Sequence, residues 1–191
     1  MRIEIKRARD FKTNTWSGGT TTELLIYPLS ADYAKRSFDF RLSTATVETE
    51  TSDFTPLPGI SRKLMVLDGE MILHHNGHAS QHVRKFDVAV FDGSWRTRSH
   101  GRCTDFNLML QGNRGDLNSH LLAAQEVLHL NIPDHTKHLF VYLWEGKLLA
   151  QIQNEKHELD AQDLLVVENP QIDSLQLHSI LNSVCILVRV F

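Results

Sequence analysis

The chain reads as an all-β protein made of two copies of one β-barrel unit. Two features of its 191 residues predict this. Short apolar runs with period-two alternation recur along its length between Gly, Pro, Asn and Asp turns, while sustained helical periodicity is almost absent. Three blocks also recur at nearly constant spacing. Leu67-Asp68-Gly69-Glu70-Met71 resembles Trp144-Glu145-Gly146-Lys147-Leu148, 77 residues later. Asp87-Val88-Ala89-Val90-Phe91 resembles Asp163-Leu164-Leu165-Val166-Val167, 76 later, and Asn107-Leu108-Met109-Leu110 resembles Ile186-Leu187-Val188-Arg189, 79 later. Such a period marks a duplicated supersecondary unit. The expected division is residues 1–115 and 116–191, packed as one compact body.

Taken in order, Ile3 and Ile5 alternate with charged neighbours and predict a short first strand. Gly18-Gly19 marks a tight turn or close backbone approach. Thr20 to Tyr27, rich in Thr and apolar residues, predicts a strand with Thr21, Glu23, Leu25 and Tyr27 on one face. Phe38 to Val47 predicts another, with Arg41, Ser43, Ala45 and Val47 sharing a face. Thr55-Pro56-Leu57-Pro58-Gly59 cannot continue a sheet. After it, Lys63 to His75 and Gln81 to Phe91 predict a hairpin around Asn76-Gly77. Thr104 to Gln111 closes the first copy, with Asp105, Asn107 and Met109 on one face. Leu117 to Leu130 has leucines at helical spacing, but the repeat favours strand there.

Composition narrows the function. Hydrophobic residues make up 41%, net charge is −3 and no basic run stands out, so nucleic acid is not an expected partner. The N-terminus MRIEIKRARD lacks the apolar centre of a leader and no window approaches a membrane span, so a soluble cytoplasmic protein is expected. Cys103 and Cys185 lie far apart in apolar strands and read as reduced, buried thiols. A homodimer is compatible with the sequence.

The order of repeated blocks resembles the cupin family of double-stranded, jelly-roll-like β-barrels, and the whole resembles a bicupin. Many cupins hold a metal with an HxH pair, a glutamate and a later histidine. Seven residues before Gly69, the glutamate position, stands Arg62; the HxH region reads Thr55-Pro56-Leu57-Pro58, and the later histidine falls near Thr97. The second copy has Leu139 at the glutamate position. Arg and Pro cannot bind a divalent metal, so neither a metal nor another cofactor is expected. His74, His75, His78 and His82 flank the Asn76-Gly77 turn and read as solvated hairpin residues.

Polar residues on apolar faces mark the candidate pocket: Glu23, Arg41, Ser43, Arg62, Asp105 and Asn107. Where the first copy has Arg62, Asp105 and Asn107, the second has Leu139, Val184 and Ile186, so one unit carries a site and the other is scaffold. The arginines suit a carboxylate by bidentate bonding; Ser43 and Asn107 suit an amide or formyl group. Structural ion pairs at strand ends are the competing explanation of these residues.

The strings Trp16-Ser17-Gly18-Gly19-Thr20-Thr21-Thr22-Glu23, Phe40-Arg41-Leu42-Ser43-Thr44-Ala45-Thr46-Val47, Phe54-Thr55-Pro56-Leu57-Pro58-Gly59-Ile60-Ser61-Arg62 and Thr104-Asp105-Phe106-Asn107-Leu108-Met109 together resemble the HutD/Ves family. Ser17 and the Gln111 to Gly115 stretch depart from the family's usual residues. The resemblance implies a bicupin without established enzymatic activity. It also implies a regulatory role, either in histidine utilisation, with an N-formylglutamate-like ligand, or, for the Ves branch, in a stress response. No Ser–His or Cys–His pair can be placed in one pocket, so no catalytic residue is assigned. The alternative is a cupin isomerase or hydrolase acting on a small organic acid, with Glu23 or Asp105 as general acid/base.

Overall fold

The computed structural model describes residues 1–191. The chain is all-β, and its one helical piece is a 3-10 turn at Ala8–Asp10. Two compact units form: Lys12–Asn113, and Met1–Phe11 together with Arg114–Phe191.

In the first unit, six strands form one antiparallel sheet. They are β2 (Lys12–Trp16), β3 (Gly19–Tyr27), β4 (Phe40–Val47), β6 (Ile60–Gly69), β9 (Val88–Asp92) and β11 (Cys103–Gln111), in the order β2-β3-β4-β11-β6-β9. A second sheet, β5-β10-β7-β8, comprises β5 (Thr51–Asp53), β7 (Met71–His75), β8 (Gln81–Val83) and β10 (Thr97–His100). Alternation along each strand turns one row inward. Leu64, Val66, Ala89 and Phe91 of the large sheet meet Met71, Leu73 and Val83 of the small one, all buried.

The other unit repeats this plan. Its sheets are β1-β17-β14-β19-β12 and β13-β18-β15-β16. The strands are β1 (Arg2–Lys6), β12 (Gly115–Leu122), β13 (Val127–Asn131), β14 (His138–Glu145), β15 (Lys147–Ile152), β16 (Glu155–Asp160), β17 (Leu164–Glu168), β18 (Ser174–Ser179) and β19 (Ser183–Val190). Its core cluster is apolar: Leu139, Val141 and Leu143 pack with Leu148, Leu159 and Leu177. Leu117 to Leu130 is two strands, as the repeat requires.

The first eleven residues sit in the unit opposite to the 1–115 assignment. β1 pairs with β17, Ile3 opposite Val167 and Ile5 opposite Leu165, and both isoleucines pack on that core. Buried Asp163 clamps the segment, accepting from Arg7 at 2.6 Å and from the Ala8 N–H at 2.9 Å. A strand's edge hydrogen bonds are satisfied wherever a free ladder lies, and sequence order does not fix the place.

Three further expectations are corrected. The predicted long hairpin is two pairings in different sheets, β6 with β9 and β7 with β8, because Gly69 at φ 76° and Phe86 at φ 67° turn the chain. A bulge between Glu23 and Leu25 puts Ile26, not Leu25, opposite Arg41. His75 is buried, since it continues the inward row of Met71 and Leu73.

The register also corrects the alignment of the repeats. In β6 and β11, Asp105 faces Val66 and Asn107 faces Leu64; in β14 and β19, Cys185 faces Leu143 and Leu187 faces Val141. The true counterparts of Asp105 and Asn107 are therefore Cys185 and Leu187, one residue beyond Val184 and Ile186. Both ladders carry a bulge at the matching place, between Thr104 and Asp105 and between Leu143 and Glu145.

Gly69 and Gly146 end the matching strands at φ 76° and 96°. A Cβ on Gly69 would lie 2.6 Å from the Arg102 carbonyl oxygen, and one on Gly146 would strike Asn182 O and Ser183 Oγ. Gly146→Ala should therefore cost at least about 2 kcal/mol, from left-handed strain plus the clash. A chain of this size should lose roughly 4–8 °C in thermal midpoint. A midpoint unchanged in calorimetry would refute this account of the turn.

Candidate functional site

Antiparallel pairing sets the candidate residues in rows across the inner face of the large sheet. Ile26, Arg41, Met109, Arg62 and Phe91 form one row, and Glu23, Ser43, Asn107, Leu64 and Ala89 the next. Thr21, Ala45, Asp105 and Val66 form the third. A cavity of about 460 Å³ opens on these rows. Arg41, Ser43, Arg62, Asp105 and Asn107 line it, each less than one-tenth exposed. Glu23 does not line it and instead holds Arg41.

The two guanidiniums are held differently. Arg41 donates from Nε to Glu23 Oε2 at 2.7 Å and from Nη1 to Ser43 Oγ at 2.9 Å, and its Cζ lies 4.5 Å from the Tyr33 ring centre. Arg62 has no ion pair. Its Cζ lies 4.7 Å from the ring centre of Phe54 and 5.3 Å from that of Phe91, and its Nε is buried without a partner. Burial pulls Arg62 down to about 10, with Asp105 opposing that fall and Arg41 adding to it. It remains a cation at neutral pH. Stacking on aromatic faces offsets part of its desolvation, yet a buried charge without a counter-ion is costly.

Asp105 and Asn107 add to the imbalance. Asp105 Oδ1 and Asn107 Oδ1 are both buried with no hydrogen-bond partner. Burial pushes the Asp105 carboxyl up to about 7, against the pull of Arg62. Natural interiors leave few such atoms unpaired, because each costs about 1–3 kcal/mol. Three such atoms, Arg62 Nε, Asp105 Oδ1 and Asn107 Oδ1, lie on one cavity wall.

The aromatic wall of Trp16, Tyr33 and Phe54 was not among the residues predicted. Trp16 and Phe54 lie inside motif strings that flagged their neighbours, whereas Tyr33 sits in a loop with no periodic signal. The residues do not suit a divalent metal. The cavity offers two guanidiniums and two carboxyls, Asp105 and the Asp53 held by Arg98; no three His, Cys, Asp or Glu side chains cluster, and Thr97 lies on β10 bonded to His75.

The model of the HutD family matches residues 8–185. Among solved structures, a conserved protein of unknown function from Pseudomonas aeruginosa PAO1, PA5104, is 23% identical with a TM-score of 0.85, covering 100% of this chain and 99% of that one. HutD from Pseudomonas fluorescens SBW25, solved in a formate condition, is 21% identical with a TM-score of 0.74, covering 99% and 98%. The bacterial pirin YhhW from Escherichia coli, in complex with nickel(II), shares the fold at 10% identity and a TM-score of 0.72, covering 98% of each. No curated protein matches the chain.

The buried Asp105 carboxyl makes stability depend on pH. Its folded value, about 7, lies above the roughly 3.9 of an unfolded Asp, so the folded state binds more protons between them. Stability should fall as pH rises from about 4 to about 7, with the loss complete above that. Asp105→Asn should flatten this slope and gain on the order of a few kcal/mol at pH 8 but little at pH 4. Urea titrations of both proteins at the two pH values decide it, and parallel pH profiles would exclude a buried, titrating Asp105.

Proposed function

The chain belongs to the HutD family, and on that premise we propose that it is a metal-free bicupin whose first unit captures a small carboxylate. The observation that carries this reading is Arg62: a buried cation on the cavity wall with no anion of the protein in ion-pair contact. A ligand carboxylate would supply that anion through a charge-assisted, bidentate pair. Arg41, oriented by Glu23 and Ser43, would take a second carboxylate. Asn107 would meet an amide or acyl group, so N-acyl glutamates such as N-formylglutamate suit the site best. The second unit, apolar at the positions matching Arg62, Asp105 and Asn107, serves as scaffold. The role is regulatory, in histidine utilisation; a stress response is the alternative setting.

A second reading rests on Asp105, a carboxyl on the cavity wall without an arginine in ion-pair reach and with burial raising it to about 7. Such a group suits a general acid/base, which would make the protein an isomerase or hydrolase of a similar acid.

A thermal-shift panel of N-formylglutamate, formiminoglutamate, glutamate, urocanate and formate tests the first reading. At a hundredfold excess over Kd, binding adds about 2.7 kcal/mol, or several degrees at roughly 2–4 °C per kcal/mol. N-Formylglutamate should shift the midpoint most and urocanate, with one carboxylate, less. Arg62→Ala should weaken binding by about tenfold to a hundredfold with a small change in midpoint. A large drop in midpoint with affinity kept would make Arg62 structural. Turnover of any acid, seen by mass spectrometry, would favour the enzyme.

A further inference from the structure

The first unit has a second cavity, of about 450 Å³, which shares Asp53 and Phe54 with the first and is lined also by His75, Asn76 and Arg96. His75 is 3% exposed, its ring 4.9 Å from that of Phe91 and 5.2 Å from that of Trp95. Its Nδ1 lies 2.8 Å from Thr97 Oγ1, and the Thr97 hydroxyl donates to the Trp95 carbonyl at 3.3 Å. The hydroxyl has one proton for these two contacts; given to the Trp95 carbonyl, it leaves Oγ1 to accept from a ring proton on Nδ1. In that tautomer Nε2 is a bare acceptor, and in either it is buried and unpartnered. Burial, then His78 and His74, keep the imidazole below its ordinary value and neutral at pH 7.

The cations of this cavity are equally asymmetric. Arg98 is committed, donating from Nε and Nη2 to Asp53 at 2.8 and 2.9 Å. Arg96 forms no ion pair and lines the cavity. Phe54 and Pro56 supply apolar wall.

We propose that this cavity is a second ligand site, for a small planar acid with a hydroxyl or N–H donor remote from its carboxylate. The donor meets His75 Nε2, the carboxylate meets Arg96, and the ring lies on Phe54 and Pro56. The site goes beyond the carboxylate pocket and stands whether or not that pocket binds N-acyl glutamates. Its coupling to that pocket runs through Phe54, which also carries the Arg62 guanidinium.

4-Hydroxybenzoate and benzoate are suitable probes, since they differ in the donor alone. On the full chain, 4-hydroxybenzoate should shift the amide signals of His75, Asn76 and Thr97. It should also move the His75 Nε2 nitrogen resonance away from that of a bare ring nitrogen. Benzoate should bind about tenfold more weakly, for want of a hydrogen bond to a buried acceptor. Arg96→Ala should weaken both probes. His75→Phe, which keeps the aromatic packing, should bring 4-hydroxybenzoate down to the level of benzoate. Equal affinity for the two acids, shifts confined to Arg41, Ser43 and Asn107, or no binding at millimolar concentration would each overturn the proposal. The resonance readout needs no variant, so a misfolded mutant does not rescue it.

Discussion

The register of β4, β11 and β6 is the constraint on which the site depends. Opposite residues in an antiparallel pair share a face, so pairing Met109 with both Arg41 and Arg62 brings two cations from sequence-distant strands into one row. The same ladder sets Asn107 beside Ser43 and Asp105 beside Ala45. A slip of one residue would turn all five polar side chains to the opposite face and bring Leu42, Phe106 and Leu108 inward. The register holds up to Asp105 and shifts between it and Thr104, where β6 carries a bulge.

Within that frame, the two units show what duplication permits. The row holding Arg62, Met109 and Arg41 corresponds to Leu139, Arg189 and Asp116 in the other unit. There the cation has its own carboxylate: Arg189 grips Asp116 through Nε at 3.0 Å and Nη2 at 2.6 Å. In the first unit the charges are distributed otherwise. Glu23 serves Arg41, and Arg62 has only aromatic faces. One ladder geometry thus gives an internally satisfied ion pair in one copy and an unsatisfied cation in the other. Satisfied pairs are the ordinary solution for a buried charge, so the departure is where function is sought.

Phe54 lines both cavities of the first unit and packs on Phe91. Arg62 stacks on both rings, which meet edge to face at 6.1 Å, and His75 lies against Phe91. These rings carry the cation on one side and wall the imidazole on the other. Phe54 follows the three-residue strand β5 and is held to the small sheet by its N–H donating to the Thr97 carbonyl at 2.9 Å. A short edge segment therefore supplies the residues, Asp53 and Phe54, that the two cavities share.

Much of this was legible in the chain itself. Period-two alternation and turn residues are local signals, so the all-β class, most strands and the shared face of Arg41 and Ser43, or of Asp105 and Asn107, followed from sequence. The motif strings carried the family, and the duplicated blocks carried the contrast between the copies at Arg62, Asp105 and Asn107. Tertiary structure decided what depends on partners in space. β1 crossed to the other unit because a free ladder edge lay there. A bulge moved Ile26 onto the site face, and no local pattern encodes a bulge; strand register, not block similarity, made Cys185 and Leu187 the counterparts of Asp105 and Asn107. Whether a buried arginine is paired depends on distances between strands: the sequence placed Glu23 and Arg62 alike in the site, and packing gave Glu23 to Arg41 and left Arg62 without an anion.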